Sequence, residues 1–140
     1  MLRSSCMKEQ PVLAPLQAGT LNLAEETRYA PNGIVSRTLL ALPQLRVVLF
    51  AFDAGQELTE HTTTRHAWVQ VLDGSCEFDL AGRTHRLGAG QVVYMPPGVP
   101  HAVRAVERFS MLLILTPPTP AQPGSPADGS GSSAPAENRC

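Results

Sequence analysis

The chain has 140 residues, of which 43% are apolar and 16% charged, with 11 basic and 12 acidic side chains and a formal net charge of −1. That length suits a single domain with its own core. A near-neutral balance argues against a protein that neutralises a phosphate backbone, so no nucleic-acid partner is expected.

The first 29 residues read as an N-terminal arm in which only Leu16–Tyr29 has a pattern able to hold a helical turn. Either Met1 or Met7 can serve as the start, and the opening residues lack the apolar run of a signal peptide. From residue 30 to 116 the chain alternates short strand-like runs with turns. Ile34–Ala41 is a candidate strand that stops before Pro43, and Leu45–Asp53 follows it. In the latter both alternating sets are apolar, which predicts a strand covered on both faces and, through that, a homodimer. Ala67–Leu72 ends at the turn pair Asp73-Gly74; Ser75–Leu80 and Arg83–Leu87 meet across Ala81-Gly82. Gln91–Met95 ends at Pro96-Pro97-Gly98, and His101–Val106 and Phe109–Leu115 close the set. About eight short strands with Gly/Pro turns and no convincing amphipathic helix predict an all-β sandwich or barrel.

Residues 117–140 differ in kind. They hold six Pro, four Ser and three Gly with no large apolar residue. Such a segment cannot bury enough surface to offset its ordering entropy, so a disordered tail is expected. The longest apolar runs, Val47–Phe52 and Met111–Leu115, are far shorter than the ~20 residues that span a bilayer, so no membrane partner is expected. Cys6, Cys76 and Cys140 form no CxxC, which favours a reducing, cytoplasmic setting. Cys76, in phase with Phe78 and Leu80, reads as a small buried hydrophobe.

The chemistry is concentrated in two segments. The first runs from Gly55 through His61, Thr63, His66 and Ala67 to Gly74; the second from Gly90 through Tyr94, Pro96 and Gly98 to His101 and Ala105. They resemble the two motifs of the cupin superfamily, G-x5-H-x-H-x3,4-E-x6-G and G-x5-P-x-G-x2-H-x3-N. Gly55, His61, Gly74, Gly90, Pro96, Gly98 and His101 stand in register; Thr63 replaces a His, Ala67 a Glu and Ala105 an Asn. The resemblance implies a double-stranded β-helix, or jelly-roll, barrel. It also implies a pocket between motif strands lined by His61, Thr63, Ala67, Tyr94 and His101.

Metal-binding members of that superfamily use three His and one Glu. Such a set suits a divalent transition metal: Fe, Mn, Ni, Cu or Zn. Here the register leaves His61 and His101 as metal-ligand candidates. His66 is out of phase with His61, but one bulge in Thr62–Arg65 would turn it inward as a third. The competing reading has no metal, with both histidines as hydrogen-bonding residues of a small-molecule pocket. His85 lies outside both motifs, and no P-loop, GxGxxG, GxSxG or HExxH occurs.

Three functions remain open. The first is a small single-domain barrel that binds a small molecule, with no reaction assigned. The second is a metal-dependent oxygenase or isomerase with a His-only site, which would make the chain an enzyme. The third is an interaction scaffold with the tail as a docking element. No catalytic residue is assigned by the sequence.

Overall fold

The computed structural model describes residues 10–117. Nine strands and one helical turn are formed: α1 (Leu23–Glu26), β1 (Ile34–Leu42), β2 (Leu45–Phe52), β3 (Glu57–His61), β4 (His66–Asp73), β5 (Ser75–Leu80), β6 (Arg83–Gly88), β7 (Val92–Met95), β8 (His101–Ala105) and β9 (Phe109–Thr116). They make two antiparallel sheets, β1-β2-β9-β4-β7 and β3-β8-β5-β6. This is the double-stranded β-helix expected from the sequence. The alternative starts Met1 and Met7, and the tail from residue 118 onward, lie outside the described residues.

The inner faces of the two sheets meet in one core. Phe52 and Phe109 stack at 4.6 Å, and Val69, Val71, Cys76 and Phe78 are buried beside them. These residues alternate with outward-facing neighbours, as period-two geometry demands. The β4–β5 turn requires Gly74. Its φ is +80°, and a Cβ there would sit 2.0 Å from the Arg108 carbonyl oxygen and 2.7 Å from Phe109 Cβ. That close approach brings the β4–β5 turn onto the β8–β9 turn.

The apolar outer face of β2 is buried within one chain. Leu49 and Ala51 face away from Phe50 and Phe52, yet both are buried within one chain. The arm lies close by. Val12 and Leu13 donate backbone hydrogen bonds to Thr38 and Leu39, Glu26 pairs with Arg37 at 3.2 Å, and α1 lies beside Leu72 and Ser110. Arg108 then sits over the Tyr29 ring at 4.7 Å while bonding Asp53. The two-faced β2 therefore does not by itself call for a second chain. Among the described residues no helix is long and apolar enough to cross a membrane.

Candidate functional site

A strand absent from the sequence reading positions the site. Glu57–His61 forms β3 against β8, pairing Glu57 with Arg104 and Leu58 with Val103, and then His61 with His101. The register slips by one residue between Leu58 and His61. Strict alternation would put Leu58 and His61 on opposite faces. The bulge gives them the same face, so both border the barrel interior. The extra residue expected within Thr62–Arg65 is found instead in β3.

His101 opens β8, opposite Leu80 of β5 on its other side. The loop before it is held from both ends. Gly98, with φ +88°, donates its N–H to the Thr63 carbonyl at 2.9 Å, and Ala81 donates to Pro100 O at 2.9 Å. The intact Pro/Gly half of the second motif thus ties the entry of His101 to the segment that follows His61.

The two imidazoles are neighbours, with ring centroids 4.2 Å apart and planes inclined at 59°. Each is fixed by its own backbone. His61 Nδ1 lies 2.8 Å from the Thr59 carbonyl oxygen, and His101 Nδ1 lies 2.9 Å from that of Val99. A carbonyl only accepts, so Nδ1 carries the hydrogen in both rings, and in the neutral form each Nε2 is an acceptor. His101 is buried and its ring stacks along Phe78 at 6.2 Å. Burial holds its pKa below the ordinary histidine value, with the neighbouring His61 acting in the same direction; the Val99 carbonyl and Glu60 oppose the shift.

Beneath the pair lies a cavity of about 280 Å³. His61, Thr62, Thr63 and His101 are its polar lining residues. His61 and Thr62 are exposed and mark the opening. One row deeper along β8, Val103 stands between Leu58 and Phe78, and Phe50, Met95 and Met111 contribute to the opposite wall. None of the lining residues is Asp, Glu, Lys, Arg or Cys.

The structure brings together four of the five residues expected to line a pocket: His61, Thr63, Ala67 and His101. Tyr94 is not in the wall. Its strand neighbours Val93 and Met95 take the inward positions, which leaves Tyr94 on the outer face at 54% exposure. His66 is also outside the wall. It shares a 2.9 Å hydrogen bond with the Tyr94 hydroxyl, and the two rings stack at 6.3 Å. The bulge lies ahead of His61, so it leaves the phase between His66 and Ala67 unchanged, and Ala67 takes the inward position.

The wall residues Phe50, Leu58, Phe78, Met95 and Met111 were not singled out from sequence. Their signal was alternation within their own strands, as for Phe78 with Cys76 and Met95 with Val93, which by itself reads as ordinary core.

The donor set can be compared with a four-ligand metal centre. His61 and His101 offer two nitrogens. Ala67 offers nothing, and the Thr63 hydroxyl already accepts from the Arg65 N–H at 3.2 Å. Among the described residues no three of His, Cys, Asp or Glu converge. The protein thus supplies half of such a set.

Comparison with known proteins agrees with this architecture. The family model described as "Cupin domain" matches residues 48–116. A conserved protein of unknown function from Streptococcus pyogenes is 34% identical, with a TM-score of 0.69 over 79% of this chain and 97% of that one. An RmlC-like cupin protein from Desulfovibrio desulfuricans is 30% identical, with a TM-score of 0.66 over 74% of this chain and 100% of that one. KdgF from Halomonas sp. is 27% identical, with a TM-score of 0.58 over 64% of this chain and 84% of that one. No protein of curated function matches significantly. The two motif segments, the paired sheets that carry them and these relatives lead to one assignment: the chain belongs to the cupin superfamily.

Proposed function

We propose that this protein binds a small molecule inside its barrel, with the ligand's polar end at His61 and His101 and its body against the apolar wall below. The cavity carries this reading. Protein interiors are packed to a density of about 0.75 with few voids larger than a water molecule. Here an open cavity of about 280 Å³ lies between the two sheets, with a mostly apolar wall that includes Phe50, Phe78, Met95 and Met111. A concave, mostly apolar site with a few convergent polar groups at its mouth is the usual form of a small-molecule pocket. The test is a fragment screen on the full chain, followed by His61→Ala and His101→Ala. Hits that weaken in both variants support the reading; a screen without hits, or hits indifferent to both, counts against it.

A second reading is a metal-dependent enzyme of oxygenase or isomerase type. The backbone bonds to both Nδ1 atoms favour it, because they leave Nε2 of each of two neighbouring rings available as a ligand. His61 and His101 would hold the ion, and a bound transition metal would supply Lewis-acid or O2 chemistry. Metal content of untagged, chelator-free protein, measured by mass spectrometry before and after loading with Fe, Mn, Ni, Cu or Zn, separates the two readings. About one ion per chain, lost in both His variants, supports the enzyme; an empty site after loading supports the metal-free barrel.

For partners, the proposal is a second copy of the chain. Trp68 and Tyr94 are cross-strand partners on the outer face of β4 and β7, and with Val92 they remain exposed at the sheet edge. The cytoplasm is the proposed compartment, consistent with Cys76 as a free buried thiol.

A further inference from the structure

We infer that the ligand is a compact, largely apolar molecule bearing a neutral hydrogen-bond-donating head, such as an alcohol, phenol or enol, rather than a carboxylate, an ammonium or a polyol. The inference rests on the small-molecule reading of the cavity and adds its chemistry.

Size comes first. At about 30 Å³ for each water-sized group, a cavity of about 280 Å³ holds on the order of ten non-hydrogen atoms. That is at or below the small end of ligand sites, which run from about 300 to 1,000 Å³.

Polarity comes second, and it is unevenly placed. The register puts His61 and His101 in one row at the opening, with Thr62 and Thr63 beside them. One row deeper, Leu58, Phe78 and Val103 offer no polar side-chain atom. A sugar-like ligand would have hydroxyls all round and would bury several without partners, at a cost for each. A molecule with one polar end matches the gradient.

The nature of the polar end follows from the locked rings. Because Thr59 O and Val99 O hold Nδ1–H in both imidazoles, the neutral pair presents two acceptors and no donor. A head that only accepts, such as a carboxylate, would face two lone pairs. No Lys or Arg lines the cavity to compensate its charge. Glu60, whose field reaches His101, adds negative charge near the opening. An ammonium can donate, but no Asp or Glu lines the cavity to replace its hydration. A hydroxyl on an apolar body donates its one hydrogen to the buried Nε2 of His101 and leaves the exposed His61 to water, without burying charge. A buried polar group left unpaired costs roughly five- to 150-fold in affinity, which sets the discrimination expected between an alcohol and the corresponding hydrocarbon.

The test uses four probes that share one ring: benzyl alcohol, toluene, benzoate and benzylamine. Each is titrated into the full chain at pH 8 and followed by protein-detected NMR. Benzyl alcohol is expected to bind at least ten-fold more tightly than the other three. In His101→Phe, which keeps a ring beside Phe78 and removes the buried acceptor, its advantage over toluene is expected to shrink to about two-fold. His61→Phe, at an exposed position, provides the second variant, with near-ultraviolet circular dichroism to confirm the fold of both. Toluene equal to the alcohol in the unmodified protein would overturn the inference, as would tighter binding of benzoate or benzylamine. An advantage unchanged in both variants would do the same. Those three outcomes leave the small-molecule reading standing. Absence of any saturable shift with all four probes would defeat that reading and the inference together.

Discussion

Replacing Gly74 by Ala tests how the barrel is closed. Two separate costs are expected. The first is conformational: at φ +80° an L-residue is disfavoured by about 1 kcal/mol. The second is steric. The new Cβ would lie 2.0 Å from Arg108 O, 2.7 Å from Phe109 Cβ and 2.8 Å from Phe109 Cα. Two of these atoms are backbone, so no flexible side chain can move aside. The β4–β5 and β8–β9 turns must separate, and overpacking of this kind costs about 1–3 kcal/mol. The sum, about 2–4 kcal/mol, is a large share of the roughly 5–15 kcal/mol that holds a domain together. Gly82→Ala is the matched control, because Gly82 has φ +87° and nothing within 4 Å of its Cβ position. Urea denaturation of both variants isolates the steric cost by difference. Gly74→Ala should be less stable than Gly82→Ala by about 1–3 kcal/mol. Equal losses would refute the close-approach explanation and leave only the backbone conformation.

Three further outcomes are expected. Burial, with Glu77 adding to it, pushes the Cys76 thiol up to about 11, from an ordinary value of 9.0. The native state then keeps a proton that the unfolded chain gives up. Stability from this group is therefore complete below pH about 9 and falls as pH rises toward 11, by about 2–3 kcal/mol. Urea midpoints of the unmodified chain and Cys76→Ala across that window should show the decline only in the former; parallel curves would contradict it. Ala67→Leu puts three carbons into the cavity wall, and should weaken benzyl alcohol at least ten-fold in the same NMR titration. Unchanged affinity would mean that the ligand sits elsewhere. Sedimentation velocity at micromolar concentration should give a dimer, and Trp68→Glu should shift it toward monomer; a monomeric unmodified chain would count against the exposed Trp68–Tyr94 face as an interface.

The strands were legible where side chains alternate cleanly. Ser75–Leu80 was found with its ends intact, and β1, β2, β4 and β9 were found within a residue or so at each end. Glu57–His61 was not, because Glu57, Thr59 and Glu60 hide any apolar alternation and the bulge breaks its period. His61 and His101 were legible because the motif glycines and prolines set their register; the meeting of their rings depends on that unseen bulge. The cavity wall was illegible for another reason. Phe78 and Met95 have the same sequence signature whether they fill a core or border a hole in it. Tyr94 was misplaced by proximity to the motif, although its phase against Val93 and Met95 points outward. The doubly apolar β2 predicts cover on both faces, and Leu49 and Ala51 are buried within one chain, but sequence does not show a distant segment folding back. Here the arm approaches β1 through Val12, Leu13 and Glu26.

Occupancy of the barrel is most directly tested with methyl-labelled methionine. The chain contains four Met, and Met95 and Met111 line the cavity. Titrating benzyl alcohol at pH 8 should move the Met95 and Met111 methyl signals together and saturably, with one dissociation constant that rises about ten-fold in His101→Phe. Methyl signals of Met95 and Met111 that stay fixed while binding saturates at other sites, or that respond identically in the variant, would contradict a ligand held between the histidine pair and the apolar wall.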